Sequence, residues 1–216
     1  VRWFRERQPL FRRLQQQPGH RTKAGFSLVE LLMVLAVLGL VILVFWGPAL
    51  RTRTARGLDG CRVHLLQLHV ALELYAQDSG GLYPALARAQ TSESVLALLV
   101  PVYLNETRWF VCPGSQTRPP SPGNSLAQSR ISYAYYQGQK TNRLPGAPLL
   151  SDEQVDTRAK QPGDPVFSEN GHPPGNNHGS AGGQVLFQDG SIRFTPPRAA
   201  FALPLSSEVR LLNPKR

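Results

Sequence analysis

A helix that crosses a bilayer has no place for a carboxylate without a partner, and this chain puts one at the head of its longest apolar stretch. From Leu31 to Trp46 no charged or polar side chain occurs, and Glu30 stands directly before that run. Burying a lone carboxylate in hydrocarbon costs several kcal/mol, so an acid in this position calls for a functional reason. Residues 26–46 are long enough to span ~30 Å of hydrocarbon at ~1.5 Å per residue. Arg2, Arg5, Arg7, Arg12, Arg13, Arg21 and Lys23 all precede the run. The positive-inside rule therefore places the N-terminus in the cytoplasm and everything after the run outside it. Two other readings exist: an uncleaved signal anchor, and a secretory signal cut after Ala49, where Gly47 and Ala49 are small. The second has an apolar core longer than usual and Pro48 inside the cut site. Neither accounts for Glu30.

The segment Lys23-Ala24-Gly25-Phe26-Ser27-Leu28-Val29-Glu30 presents a basic leader, a glycine, a phenylalanine, a polar residue, two aliphatics and an acid. In this it resembles the N-terminal motif of the type IV pilin and pseudopilin superfamily. The resemblance implies cleavage between Gly25 and Phe26 by a membrane-embedded prepilin peptidase. It further implies N-methylation of Phe26 and a role for Glu30 in subunit assembly.

The net charge of +10 is largely topological. Residues 1–25 hold seven Lys/Arg against one Glu, so the remainder carries only +4. No basic-aromatic stripe of the kind that follows a phosphate backbone is present, which argues against a nucleic-acid partner. The leader interleaves Trp3, Phe4, Leu10 and Phe11 with its arginines and suits the inner membrane surface. Only two cysteines occur, Cys61 and Cys112. A compartment outside the cytoplasm permits a disulfide between them, the alternative being two separate buried thiols. The disulfide is the expectation.

Beyond Gly47-Pro48, which should kink the helix without ending it, Leu58, Cys61, Leu65, Leu68, Leu72 and Tyr75 recur at steps of three and four. That stripe is too short for a coiled coil and predicts one buried helix face, ended by Asp78-Ser79-Gly80-Gly81. A second helix is predicted over Glu93–Tyr103, capped by Thr91 or Ser92 and distorted at Pro101. Short strands are predicted at Arg108–Cys112, Ile131–Tyr136 and Pro148–Ser151. Loops are predicted at Pro113–Ser129 and Asp156–Gly183, the latter long enough to be functional or mobile. Gln184–Gln188 and Ser191–Phe194 flank Asp189-Gly190, the strongest short signal for a hairpin, with both turn residues at positive φ. The fold class is therefore α+β, a long N-terminal helix, membrane-spanning and then amphipathic, packed on a small antiparallel sheet. The domain plan is a leader at 1–25, a transmembrane segment at 26–46 and a soluble helical continuation at 47–81. A globular pilin-like domain at 82–200 and a tail at 201–216 follow.

His178, a glycine-rich stretch and then Asp189-Gly190 resemble the H-x9-DG signature of a large prepilin-like family, although ten residues separate His178 from Asp189. Cys61, Tyr83-Pro84, Cys112-Pro113, Ser132-Tyr133 and Ser151-Asp152 fit the same pattern. His178 and Asp189 could hold calcium together with Asp152 or Asp156, since calcium takes several loop oxygens. No dense acidic loop is present. The expectation is turn chemistry instead, with Asp189 accepting from its own backbone and His178 bonding a loop carbonyl, and no resident cofactor or metal. His64 and His69 lie five apart, a poor spacing for joint ligation, and Asp59, Glu73 and Asp78 are expected to be solvated. No nucleophile elbow, phosphate loop or zinc-protease motif occurs, so an enzyme has no support. The reading is a pseudopilin or minor pilin that polymerises with other pilin subunits into a secretion or pilus filament. It would be a single-pass inner-membrane protein before assembly, with its C-terminal domain periplasmic. A membrane-anchored binding domain that never polymerises is the alternative, with an anchored hydrolase third.

Overall fold

The computed structural model describes residues 27–121, 123–141 and 146–215, with the side chains of 43–56 outside the description. The chain divides into two compact units, Val1–Gly47 and Pro48–Arg216. Helix α1, Leu28–Asp78, contributes to both. The Gly47-Pro48 pair lies inside its bounds and at the division between the units, so the proline leaves the helix unended. Among the described residues no helix is long and apolar enough to cross a membrane. The span expected at 26–46 starts and finishes on residues whose side chains lie outside the description.

In the unit from Pro48 onward, the predicted stripe is the packing face of α1. Cys61, Leu65, Leu68 and Leu72 are fully buried, Ala71 and Ala76 join them, and Tyr75 packs from the margin. Burying each leucine contributes ~1.5–3 kcal/mol. The helix ends as its glycines dictate. Gly80 takes φ +66°, and the Gly81 N–H reaches back to the Ala76 carbonyl at 2.7 Å, a 6→1 closing bond.

Five antiparallel strands follow: β1 Tyr133–Gln137, β2 Pro148–Asp152, β3 Gly183–Phe187, β4 Ile192–Thr195 and β5 Arg210–Leu212. They lie side by side in the order β4-β3-β2-β1-β5. Strand alternation sorts the residues between two faces. Tyr133, Tyr135, Leu186 and Leu212 join the α1 core, whereas Ala134, Tyr136, Val185, Phe187 and Leu211 belong to clusters on the other side. Leu149 and Leu150 are neighbours yet both join the α1 core, because a register shift between Pro148 and Leu150 breaks the alternation there.

The second face is buried too, and the long loop explains part of it. Val209 and Leu205 pack there with Ala134, Tyr136 and Leu211. The loop expected at Asp156–Gly183 to be functional or mobile ends at β3 and covers the Val185 and Phe187 part of that face with Val166 and Phe167, together with Ala199 and Leu203 from the far side of the hairpin. Bridges at Lys160–Leu203 and Pro165–Arg198 fasten the two coverings to each other. Lys160 is buried and its Nζ lies 2.7 Å from Asp156 Oδ1. Burial acts to raise the Asp156 carboxyl, but Lys160 and the Arg158 backbone overcome it and hold the group below its usual range.

Four expectations are corrected. Helix α2 runs only over Ser92–Leu96, continued by a 3-10 turn at Ala97–Leu99. Val100 precedes a proline, which disfavours helical backbone, and it is extended at φ −103°, ψ 135°. Thr91 is the N-cap residue but makes no side-chain capping bond. Arg108–Cys112 is not a strand. Thr107–Phe110 forms a 3-10 turn that delivers Phe110 to the core, and Val111 after it is extended. The segment 201–216, expected as a tail, supplies β5, whose Leu212 pairs with Tyr135 on the inner strand. The hairpin has a longer turn than an Asp-Gly pair. The Gly190 N–H bonds the Phe187 carbonyl at 3.0 Å, which makes Gln188 and Asp189 the central residues. Gly190, at φ +77°, takes the left-handed bulge position after them.

Candidate functional site

The N-terminal motif is described from Ser27 onward, so Gly25 and Phe26 lie outside the described residues. The Leu31 N–H bonds the Ser27 carbonyl at 3.1 Å, which closes the first turn of α1 and sets Glu30 within it. An acid there is favoured by the positive end of the helix dipole. Every described side chain from Leu28 to Ile42 is exposed, on all sides of the helix. Leu28 is 76% exposed, and even the least exposed of the large ones, Ile42, is 44% exposed. A helix apolar all round is stable only against lipid or against other helices.

A second site is assembled in the other unit from four separated segments. Cys61 comes from the buried face of α1, Cys112 from just beyond the 3-10 turn, Asp152 from the end of β2, and His178 from the long loop. All four residues are buried, and one ligating atom from each lies within 4.8 Å of those of the others. Cys61 Sγ donates to Asp152 Oδ1 at 3.3 Å. Cys112 Sγ lies 3.4 Å from His178 Nε2, which in turn is 3.3 Å from Asp152 Oδ2.

The surroundings hold these side chains in place. Asp152 accepts from Asn177 Nδ2 at 2.7 Å and from the Gln184 N–H at 2.8 Å. Cys112 Sγ receives the Gly114 N–H at 3.3 Å, and Cys61 Sγ receives the Tyr133 hydroxyl at 3.4 Å. Gly114 is the floor under the imidazole, since a Cβ there would lie 2.5 Å from His178 Nδ1.

The electrostatics follow from that packing. Burial pushes the Cys61 thiol well up, and the neighbouring Cys112 and Asp152 add to it. Cys112 is drawn down, chiefly by its hydrogen bond with Cys61 and against the effect of burial, with His178 assisting. For His178 burial acts downward, but the Asp152 carboxylate and the Cys112 sulfur outweigh it and raise the imidazole to about 10. The imidazole thus lies between a sulfur and a carboxylate, both of which favour its charged form.

The two cysteines expected to pair are neighbours in this cluster, as free thiols. His178 does not bond a loop carbonyl as expected; its partners are Asp152 and Cys112. Asp189 does behave as a turn residue, its Oδ1 accepting from the Ser191 N–H at 2.9 Å and the Ser191 hydroxyl at 2.6 Å. Those hydrogen bonds draw its carboxyl below the usual range. Asp156 is taken by Lys160 and Arg158, so neither carboxylate joins His178. The rest of the signature serves packing, with Gly190 lying against His69 of α1, whose Nε2 would meet an added Cβ at 3.1 Å.

His64 and His69 have separate partners. His64 Nδ1 lies 2.8 Å from the Val111 carbonyl, and His69 is 3.9 Å from Glu73. Burial lowers both imidazoles. Glu73 and Asp78, expected to be solvated, accept from the hydroxyls of Tyr83 and Tyr103. Sequence reasoning set Cys61 beside Cys112, and His178 beside Asp152 as one possible calcium set, without joining the two pairs. No spacing rule links one helix, one turn, one strand end and one loop. Asn177 and Gln184, which steer Asp152, had no sequence signal.

Residues 20–46 match the prokaryotic N-terminal methylation motif. No curated protein and no solved structure matches the chain at a significant level.

Proposed function

We propose that this protein is a pilin-like filament subunit, a pseudopilin or minor pilin of a secretion or pilus machine. A prepilin peptidase would cut it between Gly25 and Phe26 and methylate the new N-terminus. The observation that carries this reading is the methylation motif over residues 20–46 with Glu30 in the first turn of α1. Before cleavage the chain is held in the inner membrane, with the arginine-rich leader in the cytoplasm and the unit from Pro48 outside it. Cleavage creates an amino group on Phe26, which on a neighbouring subunit is the cationic partner that Glu30 needs in lipid. An unpaired buried charge is far costlier than a paired one, so the pair favours one register of subunit addition. The exposed apolar side chains from Leu28 to Ile42 then pack against the same helices of other subunits.

The test is mass spectrometry of the mature N-terminus in cells that hold the peptidase, combined with two variants. The parent should begin at a methylated Phe26, and Gly25→Val should accumulate as precursor. Glu30→Leu should be inserted and cut normally yet stay out of sheared filaments when it is the only copy supplied. A terminus at Leu50, or no cleavage, refutes the processing. Assembly of Glu30→Leu as efficient as the parent refutes the pairing role of Glu30, and absence of the parent itself from sheared filaments refutes polymerisation and favours an anchored binding domain.

A further inference from the structure

We propose that Cys61, Cys112, Asp152 and His178 bind a zinc ion that fastens α1 to the turn, strand and loop around it. The donor set points to this metal. Two thiols and an imidazole suit zinc, whereas calcium and magnesium take oxygen ligands. The size agrees as well. Zinc bonds of ~2.3 Å to sulfur and ~2.0–2.1 Å to nitrogen or oxygen give a tetrahedron with edges of about 3.3–3.8 Å. Two edges of the cluster, Cys112 Sγ to His178 Nε2 and His178 Nε2 to Asp152 Oδ2, are already 3.4 and 3.3 Å, and the other Asp152 oxygen lies 3.3 Å from Cys61 Sγ. The four ligating atoms all lie within 4.8 Å of one another, so no pair needs to close by more than about 1 Å to meet that limit.

Three of the four side chains have outer contacts of the kind that orient zinc ligands. The Gly114 N–H and the Tyr133 hydroxyl point at the two sulfurs, and Asp152 is steered by Asn177 and the Gln184 N–H. Four protein ligands in a buried site leave no open position, so the role is structural and not catalytic. Zinc takes thiolates and a neutral imidazole, so binding releases the ligands' protons to water, and nothing is oxidised or reduced. The site does not depend on the filament reading, because it lies wholly within the unit from Pro48 onward.

The experiment uses the full chain extracted in mild detergent without chelators. Elemental analysis should find one zinc per chain. After chelator stripping under reducing conditions, added cobalt(II) should give a thiolate-to-metal charge-transfer band and the intense visible bands of tetrahedral coordination. Cys112→Ser should abolish the charge-transfer intensity from that sulfur. Asp152→Asn keeps the shape of the side chain and should weaken zinc in a competition titration by more than the roughly 10–100-fold that loss of an outer partner brings. The parent protein alone suffices to overturn the proposal. A Cys61–Cys112 disulfide in the unreduced protein with no bound metal would do so. So would two free thiols that take up neither zinc nor cobalt.

Discussion

Gly114→Ala should destabilise the unit from Pro48 onward as a core substitution would, although it adds a single methyl group in a loop. The new Cβ would lie 2.5 Å from His178 Nδ1, 2.8 Å from its Cε1 and 3.1 Å from the Asn177 carbonyl. The first two are closer than van der Waals contact by about 1 Å. The imidazole cannot swing away freely, because its side chain is 1% exposed and it is held by Asp152 and Cys112. The carbonyl belongs to the backbone that carries His178. Overpacking of this kind costs ~1–3 kcal/mol. Displacing the ring from Asp152 adds part of the ~1.5–3 kcal/mol that a hydrogen bond to a charged group supplies. About 2–4 kcal/mol is the expected total. At roughly 2–4 °C per kcal/mol for a domain of this size, the thermal midpoint should fall by about 5–15 °C. A double-mutant cycle isolates the cause. In a His178→Ala background the same glycine substitution should cost at least ~1 kcal/mol less, since only the Asn177 carbonyl remains close. The reasoning fails if Gly114→Ala lies within the ~0.5 kcal/mol of an ordinary surface change, or if its cost is the same with and without the imidazole.

Gly190→Val should cost ~2–3 kcal/mol in chemical denaturation, because a β-branched residue would be held at φ +77° and its Cβ would meet His69. Asp189→Asn should cost well under half of that, since an amide oxygen can still accept from Ser191. Leu212→Ala should cost ~2–4 kcal/mol, read as an earlier unfolding midpoint at unchanged slope, because Leu212 is a buried core residue opposite Tyr135. A loss near zero would mean that β5 frays and that residues 201–216 behave as a tail after all.

The elements legible in the sequence were those whose causes are local. Glu30 beside an uncharged run, the three-four stripe from Cys61 to Leu72, the paired glycines after Asp78 and the Asp189-Gly190 turn each carry their physics within a few residues. They were enough to place α1, its buried face, its end and the β3–β4 hairpin. Errors began where the partner is distant. Arg108–Cys112 alternates like a strand, yet a single 3-10 turn seats Phe110 in the core. β5 is three residues long and exists only because β1 offers it an edge. The loop expected at 156–183 looked unstructured because its work is to cover part of the second face of a sheet the sequence does not display.

The same division governs chemistry. The proposed cut at Gly25-Phe26 and the acid at Glu30 are written in consecutive residues, since a peptidase reads a linear segment and a membrane reads a run of side chains. The buried cluster is different. Cys61, Cys112, Asp152 and His178 have no common spacing and lie on four different segments. Composition and topology alone left the two cysteines as a disulfide or as separate thiols. Only the packing of α1 against the end of β2, with His178 lowered onto Gly114, puts a carboxylate and an imidazole beside both sulfurs. Local sequence determines which residues enter a helix or a turn. Which side chains from distant elements share one buried space is decided by how those elements pack.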